Sequence, residues 1–141
     1  MTPEQIALVQ SSFDRLGSLE QAVAARFYIE LFGQYPDLRP LFTTNMATQE
    51  VRFAEKLGVI VRAMPRFDEL LMHTRELGAR HLGYGVRVAD YSSVGNALLA
   101  ALAAVLGDDF DEPTREAWAL AYNLVAETML DGAAAARPIG S

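Results

Sequence analysis

Residues 27–42 read Phe27-Tyr28-Ile29-Glu30-Leu31-Phe32-Gly33-Gln34-Tyr35-Pro36-Asp37-Leu38-Arg39-Pro40-Leu41-Phe42. Tyr28 shares a face with Ala24, Leu31, Phe32 and Tyr35, at steps of three or four residues, which is the period of a helix. That helix runs to about Gly33, and Tyr35-Pro36-Asp37 forms a corner. Asp37 to Phe42 then reads as one short, tight helical turn interrupted by Pro40. A helix, a corner and a tight turn in so few residues predict helices packed irregularly rather than as a regular bundle.

The same period continues on both sides. Upstream, Ser18 with Gln21 three residues later gives a capping-box signal for the start of this helix. Thr2, Pro3 and Gln5 give the same signal for a first helix, which Leu16-Gly17 ends. Downstream, Thr44 or Asn45 caps a long helix that stops before Pro65, and Asp68 opens a helix carrying His81. Arg87 to Asp90 lead into another, ending at Leu106-Gly107. Asp108, Asp109, Asp111 and Glu112 fall where the positive end of the last helix dipole lies, a structural role. The last helix is expected from about Pro113 to about Leu130, with a frayed tail over about 133–141. Val, Ile and Thr do not gather into alternating runs. The expectation is an all-α fold of about six to seven helices around a pocket, in one domain over residues 1–141.

Composition narrows the function classes. A net charge of −6 argues against broad binding to a phosphate backbone. The absence of cysteine excludes disulfides, thiolate zinc sites and a cysteine nucleophile. The longest uninterrupted apolar run, Ala97 to Leu106, is far short of the ~20 residues a membrane-spanning helix needs. No basic-then-apolar leader is visible. A cytoplasmic protein with no nucleic-acid or membrane partner is therefore expected. Gly83-Tyr84-Gly85 begins a nucleotide-loop pattern, but Val88 fills the third glycine position. Ser92-Ser93 has no His–carboxylate arrangement to activate it.

Polar groups on apolar faces are the informative residues. His81 ends the stripe Leu70, Thr74, Leu77, Gly78 and precedes Gly83-Tyr84-Gly85-Val86. A lone imidazole there is either a packed core group or the single protein ligand of a flat metal cofactor. His73 lies nearer the edge of the stripe, and its eight-residue separation from His81 cannot grip one zinc ion. On the long helix, Gln49 falls within the apolar stripe Met46, Phe53, Leu57, Ile60, Met64. An inward amide costs about 1–3 kcal/mol unless hydrogen-bonded. Gln49 therefore either bonds a loop backbone near the helix start or aims a donor into a cavity. Tyr28 and Tyr91 are inward phenols, the latter opening the stripe Tyr91, Val94 or Gly95, Leu98, Leu102, Val105. Trp118, Tyr122, Val125 and Met129 read as plain core.

Several stretches together resemble a single-domain bacterial globin related to the haem domain of flavohaemoglobins. Residues 27–42 are similar to that family's FYxxLF…xPxxRPLF signature. Arg80-His81-Leu82-Gly83-Tyr84-Gly85-Val86, with Asp90-Tyr91 and Val94-Gly95, resembles its proximal-histidine segment. Ala117-Trp118 and Tyr122 resemble the A-W-x-x-x-Y of its last helix.

The resemblance implies haem b, with His81 as the iron ligand and the sixth iron position open. It implies that Phe42, Phe53, Leu57, Val86, Tyr91 and Val94 line the cofactor, and that Tyr28 and Gln49 stabilise the ligand on the distal side. Phe53 stands where an aliphatic residue, usually Leu, is found. Tyr91 resembles the tyrosine that contacts the proximal histidine. Its usual glutamate partner is replaced by Ala133, which implies a weaker push of negative charge onto His81 and less peroxidase-like chemistry. The function implied is oxygen and NO binding, with NO dioxygenation to nitrate and ferric haem. At this length the electrons are expected from an external reductase. The alternative is an oxygen carrier, store or gas sensor without turnover. A monomer or homodimer fits either.

Overall fold

The structure, a computed structural model, describes residues 1–43, 45–66 and 88–135. The readings placed on Asp68, His73, His81 and Val86 lie outside those residues, as does Thr44. The described helices are α1 (Pro3–Leu16), α2 (Glu20–Gln34), α3 (Met46–Ala63), α4 (Val88–Leu106) and α5 (Glu112–Ala135). Three short 3-10 turns join them at Gly17–Leu19, Pro36–Leu41 and Gly107–Asp109, and no strand occurs among the described residues.

Local chemistry sets most of the ends. Thr2 Oγ1 accepts from the Gln5 N–H at 3.1 Å while Gln5 Oε1 accepts from the Thr2 N–H at 2.8 Å, the reciprocal box expected for α1. Gly17 closes α1 at φ +51°, a left-handed conformation that suits glycine. Asn45 caps α3, its Oδ1 accepting from the Ala47 N–H at 2.9 Å.

Two expected ends are corrected. Ser18 and Gln21 form no capping box, because residues 17–19 tighten into a 3-10 turn that runs straight into α2. The N-cap position thereby falls to Leu19, which has no side-chain acceptor. The last helix does not stop near Leu130 but continues to Ala135, so residues 133–135 are helical rather than a frayed tail. Ala133, Ala134 and Ala135 are the best helix formers, and they offset the roughly 1 kcal/mol that Gly132 costs in a helix interior.

The core lies where α2 packs on α4, flanked by α3 on α2 and α1 on α5. Residues Asp90–Asp109 are long and apolar enough to cross a membrane by composition alone, with a mean hydropathy of 1.2. In this fold Ala97, Leu98, Ala101 and Leu102 of that stretch are buried against the other helices. A buried polar tie joins the chain's two ends: the Trp118 Nε1–H donates to Ser12 Oγ at 2.8 Å, and Ser12 Oγ donates to the Leu8 carbonyl at 2.7 Å. Asn96 Nδ2 donates to the Tyr35 hydroxyl at 3.1 Å, pinning the corner after α2 to α4.

On α3 the deepest residues are Ala54, Gly58 and Val61. The expected stripe of Met46, Phe53, Leu57 and Ile60 is only partly buried, and of its members only Met64 is fully buried. The deep face lies about 100° around the helix from the expected one. The larger apolar side chains of α3 therefore project to one side of its deep face. Tyr28 stands on that side.

Candidate functional site

Three elements converge on Tyr28. Its own helix, α2, supplies Phe27 and Phe32, the Pro36–Leu41 turn delivers Phe42, and α3 delivers Phe53. The Phe42 ring meets Tyr28 edge-on with centroids 5.5 Å apart, and the Phe53 ring does so at 5.9 Å. Phe32 stacks on Tyr28 at 5.8 Å and takes Phe42 edge-on at 5.3 Å. Phe27 meets the Tyr28 edge at 4.9 Å and stacks on Phe53 at 4.2 Å, with the two planes only 11° apart.

The wall is braced from outside. The Arg39 guanidinium donates to the Phe42 carbonyl at 2.8 Å and lies 5.4 Å from the centre of the Phe32 ring. This accounts locally for the Arg39-Pro40-Leu41-Phe42 sequence: the turn places Arg39 under Phe42, so the phenylalanine is held against Tyr28 by its own backbone.

Tyr28 is 6 % exposed, yet its hydroxyl has no hydrogen-bond partner among the described residues. A buried phenol normally finds one. Burial, with a smaller contribution from the Glu50 carboxylate, pushes its pKa up to about 12. It therefore stays protonated and keeps an O–H to donate.

Gln49 is half-buried in the first turns of α3, one turn before Phe53. Its backbone N–H bonds the Asn45 carbonyl at 3.0 Å, whereas its side-chain amide bonds neither the loop backbone nor Tyr28 among the described residues. Leu57 and Val94 are partly buried against the same core. The ring contacts thus bring Tyr28, Phe42 and Phe53 together directly, while Gln49 shares their helix without a bond to Tyr28.

Tyr91 lies in a second, smaller cluster with Val125 and Ala126, packed by Ile60 and Tyr122. Ile60 also packs on the main core, so it joins the two clusters. Burial raises the Tyr91 pKa above its ordinary value. Tyr122 is not plain core, as its stripe suggested: its hydroxyl donates to the Tyr91 backbone carbonyl. The Tyr122 ring lies over Gly95, where an added Cβ would meet its Cε1 at 2.5 Å. Gly95 is thereby the position that admits the ring, and Val94 stands beside it.

Sequence reading alone missed Glu50, gave Phe27 no role in the site, and left Gly95 as an alternative to Val94. Phe27 and Tyr28 are adjacent, so helical geometry turns them about 100° apart. Nothing in the spacing says that Phe53 bridges both. A separate groove of about 500 Å³, lined by Gly17, Gln21, Val51, Glu55, Val59 and Arg62 among others, includes none of the aromatic residues around Tyr28.

Comparison with known proteins matches this geometry to a group. The sequence profile of the globin family matches residues 25–129. The flavohemoprotein of Vibrio cholerae is 27 % identical over 134 residues, covering 93 % of this chain and 34 % of its own. That of Deinococcus radiodurans is 31 % identical over 138 residues, covering 92 % and 33 %. The chain thus spans about a third of the length of the flavohemoproteins it matches. Among solved structures, an engineered carbene transferase from Rhodothermus marinus, provisionally assigned as a nitric oxide dioxygenase, superposes with a TM-score of 0.87 at 27 % identity, covering 96 % of this chain and 94 % of that one. A bacterial globin from Campylobacter jejuni superposes with a TM-score of 0.82 at 25 % identity, covering 95 % and 97 %.

Proposed function

The chain belongs to the globin family, and on that premise we propose that it binds oxygen and NO at a haem and converts NO to nitrate with electrons from a separate reductase. The cofactor of this family is haem, an iron porphyrin. The buried Tyr28 hydroxyl, without a partner among the described residues, is the observation that fits the chain to it: a ligand-bearing group placed beside Tyr28 gives that donor an acceptor. When bound, haem supplies an iron centre that takes a diatomic gas.

His81 is the residue that would hold the iron, with Phe42, Phe53, Leu57, Val86, Tyr91 and Val94 flanking the porphyrin. The chain's own contribution on the gas side is a dry donor. Tyr28 keeps its proton at every physiological pH, since its pKa is pushed up to about 12. The rings of Phe27, Phe32, Phe42 and Phe53 exclude water around it. A hydrogen bond to a polar ligand in such surroundings is stronger than one in water. The half-buried Gln49 amide is a second donor from the same helix as Phe53.

Tyr91, whose carbonyl accepts from Tyr122, is the residue that would stand on the His81 side of the cofactor. In net terms one NO, one O2 and one electron give one nitrate. The likeness to flavohemoproteins and to a provisionally assigned nitric oxide dioxygenase supports this chemistry.

The test has two stages. The purified protein is expected to show a Soret band that is lost in His81→Ala. Under continuous reductant and oxygen, it is then expected to form many equivalents of nitrate per haem. Nitrate formation that stops after one equivalent would overturn turnover and leave an oxygen carrier or sensor.

A further inference from the structure

The rings that touch Tyr28 are not all held alike. Phe27 is 3 % exposed and lies in the core, and Phe53 stacks on it. Phe32 and Phe42 are half-buried, and among the described residues their ring contacts are to each other and to Tyr28 alone. Core packing therefore fixes them less.

Arg39 joins these two rings from the exposed side. Its guanidinium lies 5.4 Å from the centre of the Phe32 ring and donates to the Phe42 carbonyl at 2.8 Å. The Phe42 N–H in turn donates to the Arg39 carbonyl at 3.1 Å. One residue thus holds Phe42 by both of its backbone groups and covers Phe32 as well. Tyr28 has no hydrogen bond of its own among the described residues, so its ring neighbours are what orient its hydroxyl.

We propose that Arg39 is a positioning residue: through Phe32 and Phe42 it aims the Tyr28 hydroxyl at the gas ligand and so slows oxygen loss without touching oxygen. This rests on the haem reading above. Hydrogen bonds weaken steeply as their angle departs from linear, so a small turn of the Tyr28 ring is enough to weaken its donation. Oxygen on ferrous haem is polar and depends on that donor. CO is far less polar and depends on it little.

The experiment measures oxygen and CO dissociation from the ferrous haem protein by stopped flow in the wild type, Arg39→Met, Tyr28→Phe and the double variant. Arg39→Met is expected to speed oxygen loss by about threefold or more, the scale of an exposed charged hydrogen bond with a cation–π contact, and to leave CO within about twofold. In the Tyr28→Phe background, which has no hydroxyl to aim, the same substitution is expected to change oxygen loss by less than about twofold. A merely structural role for Arg39 would move oxygen loss in both backgrounds, or CO loss alongside it. Either result overturns the positioning role, as does an oxygen rate unchanged in Arg39→Met. If Arg39→Met does not retain haem, Arg39→Lys keeps the charge without the planar fork and carries the same expectation. Oxygen loss unchanged in Tyr28→Phe overturns the donor role of Tyr28 and the positioning with it. A wild type with no Soret band overturns the haem reading itself.

Discussion

The hydroxyl of Tyr122 donates to the backbone carbonyl of Tyr91, 31 residues earlier in the chain. The bond ties α5 to the start of α4, and Gly95 makes room for it one turn after Tyr91. An added Cβ there would overlap the Tyr122 ring, which is buried on the α4 side. The ring and the glycine are therefore one device.

A double-mutant cycle tests that device. Gly95→Ala is expected to destabilise by about 1–3 kcal/mol through overpacking. Tyr122→Leu removes both the ring packing and the hydroxyl's bond to the Tyr91 carbonyl and costs a similar amount or more. Because Gly95→Ala clashes only with the ring, its cost should largely vanish in the Tyr122→Leu background. Urea denaturation of the four proteins measures the coupling, and additive costs would show that the two residues act separately.

Ser12 is the only described hydrogen-bond partner of the Trp118 indole, and both are at most 2 % exposed. Ser12→Ala leaves a buried N–H unsatisfied, so a loss of about 1–3 kcal/mol is expected. Trp118 is the single tryptophan, which makes its fluorescence a direct reporter. Its emission should change in the folded variant while its denaturation midpoint falls. A midpoint equal to wild type would mean that the indole finds another partner.

Alkaline stability follows from the tyrosines. Tyr28 has its pKa raised from 10.0 to about 12, and those of Tyr91 and Tyr122 are also raised by burial. In the unfolded chain these phenols ionise near pH 10, before they do in the folded one. The unfolded state then holds fewer protons, and stability falls as pH rises. The stabilisation is intact below about pH 10 and is lost as pH passes through the folded values. Tyr28→Phe should flatten the decline between pH 10 and 12, and absorbance at the phenolate band should show one fewer late-titrating tyrosine.

Acid stability has one identifiable contributor at the start of α5. Asp111 Oδ1 accepts from the Thr114 N–H at 3.0 Å, and the Thr114 side chain and backbone hold the carboxyl below its ordinary value. A depressed carboxyl contributes stability above the ordinary carboxylate pKa and loses it as pH falls through the folded pKa. Asp111→Asn keeps an acceptor at the cap but cannot titrate. Its melting temperature is therefore expected to fall less between pH 7 and pH 3 than that of the wild type. Equal losses would assign the acid sensitivity elsewhere.

What could be read along the chain was governed by separations of three and four residues. The Thr2–Gln5 box, Gly17 and the Asn45 cap are local bonds, and the sequence places their partners within one turn. Ser18 misled because its capping signal competes with a 3-10 turn that no local rule ranks against it. The faces of Tyr28 and Tyr91 were legible because an amphipathic helix repeats every 3.6 residues. The choice between Val94 and Gly95 was not, since it depends on which side of α4 receives a ring from α5.

The sequence by itself determined the described helices, most of their ends and the inward direction of Tyr28 and Tyr91. Only the tertiary structure decided what those groups meet. It stacks Phe53 on Phe27, leaves the Tyr28 hydroxyl with no partner among the described residues, and gives Tyr122 the Tyr91 carbonyl. The reason is geometric. Periodicity sets the direction of a side chain from its own helix axis, but its partner depends on where another helix crosses. At one such crossing Gly95 leaves the room that the Tyr122 ring of α5 takes up.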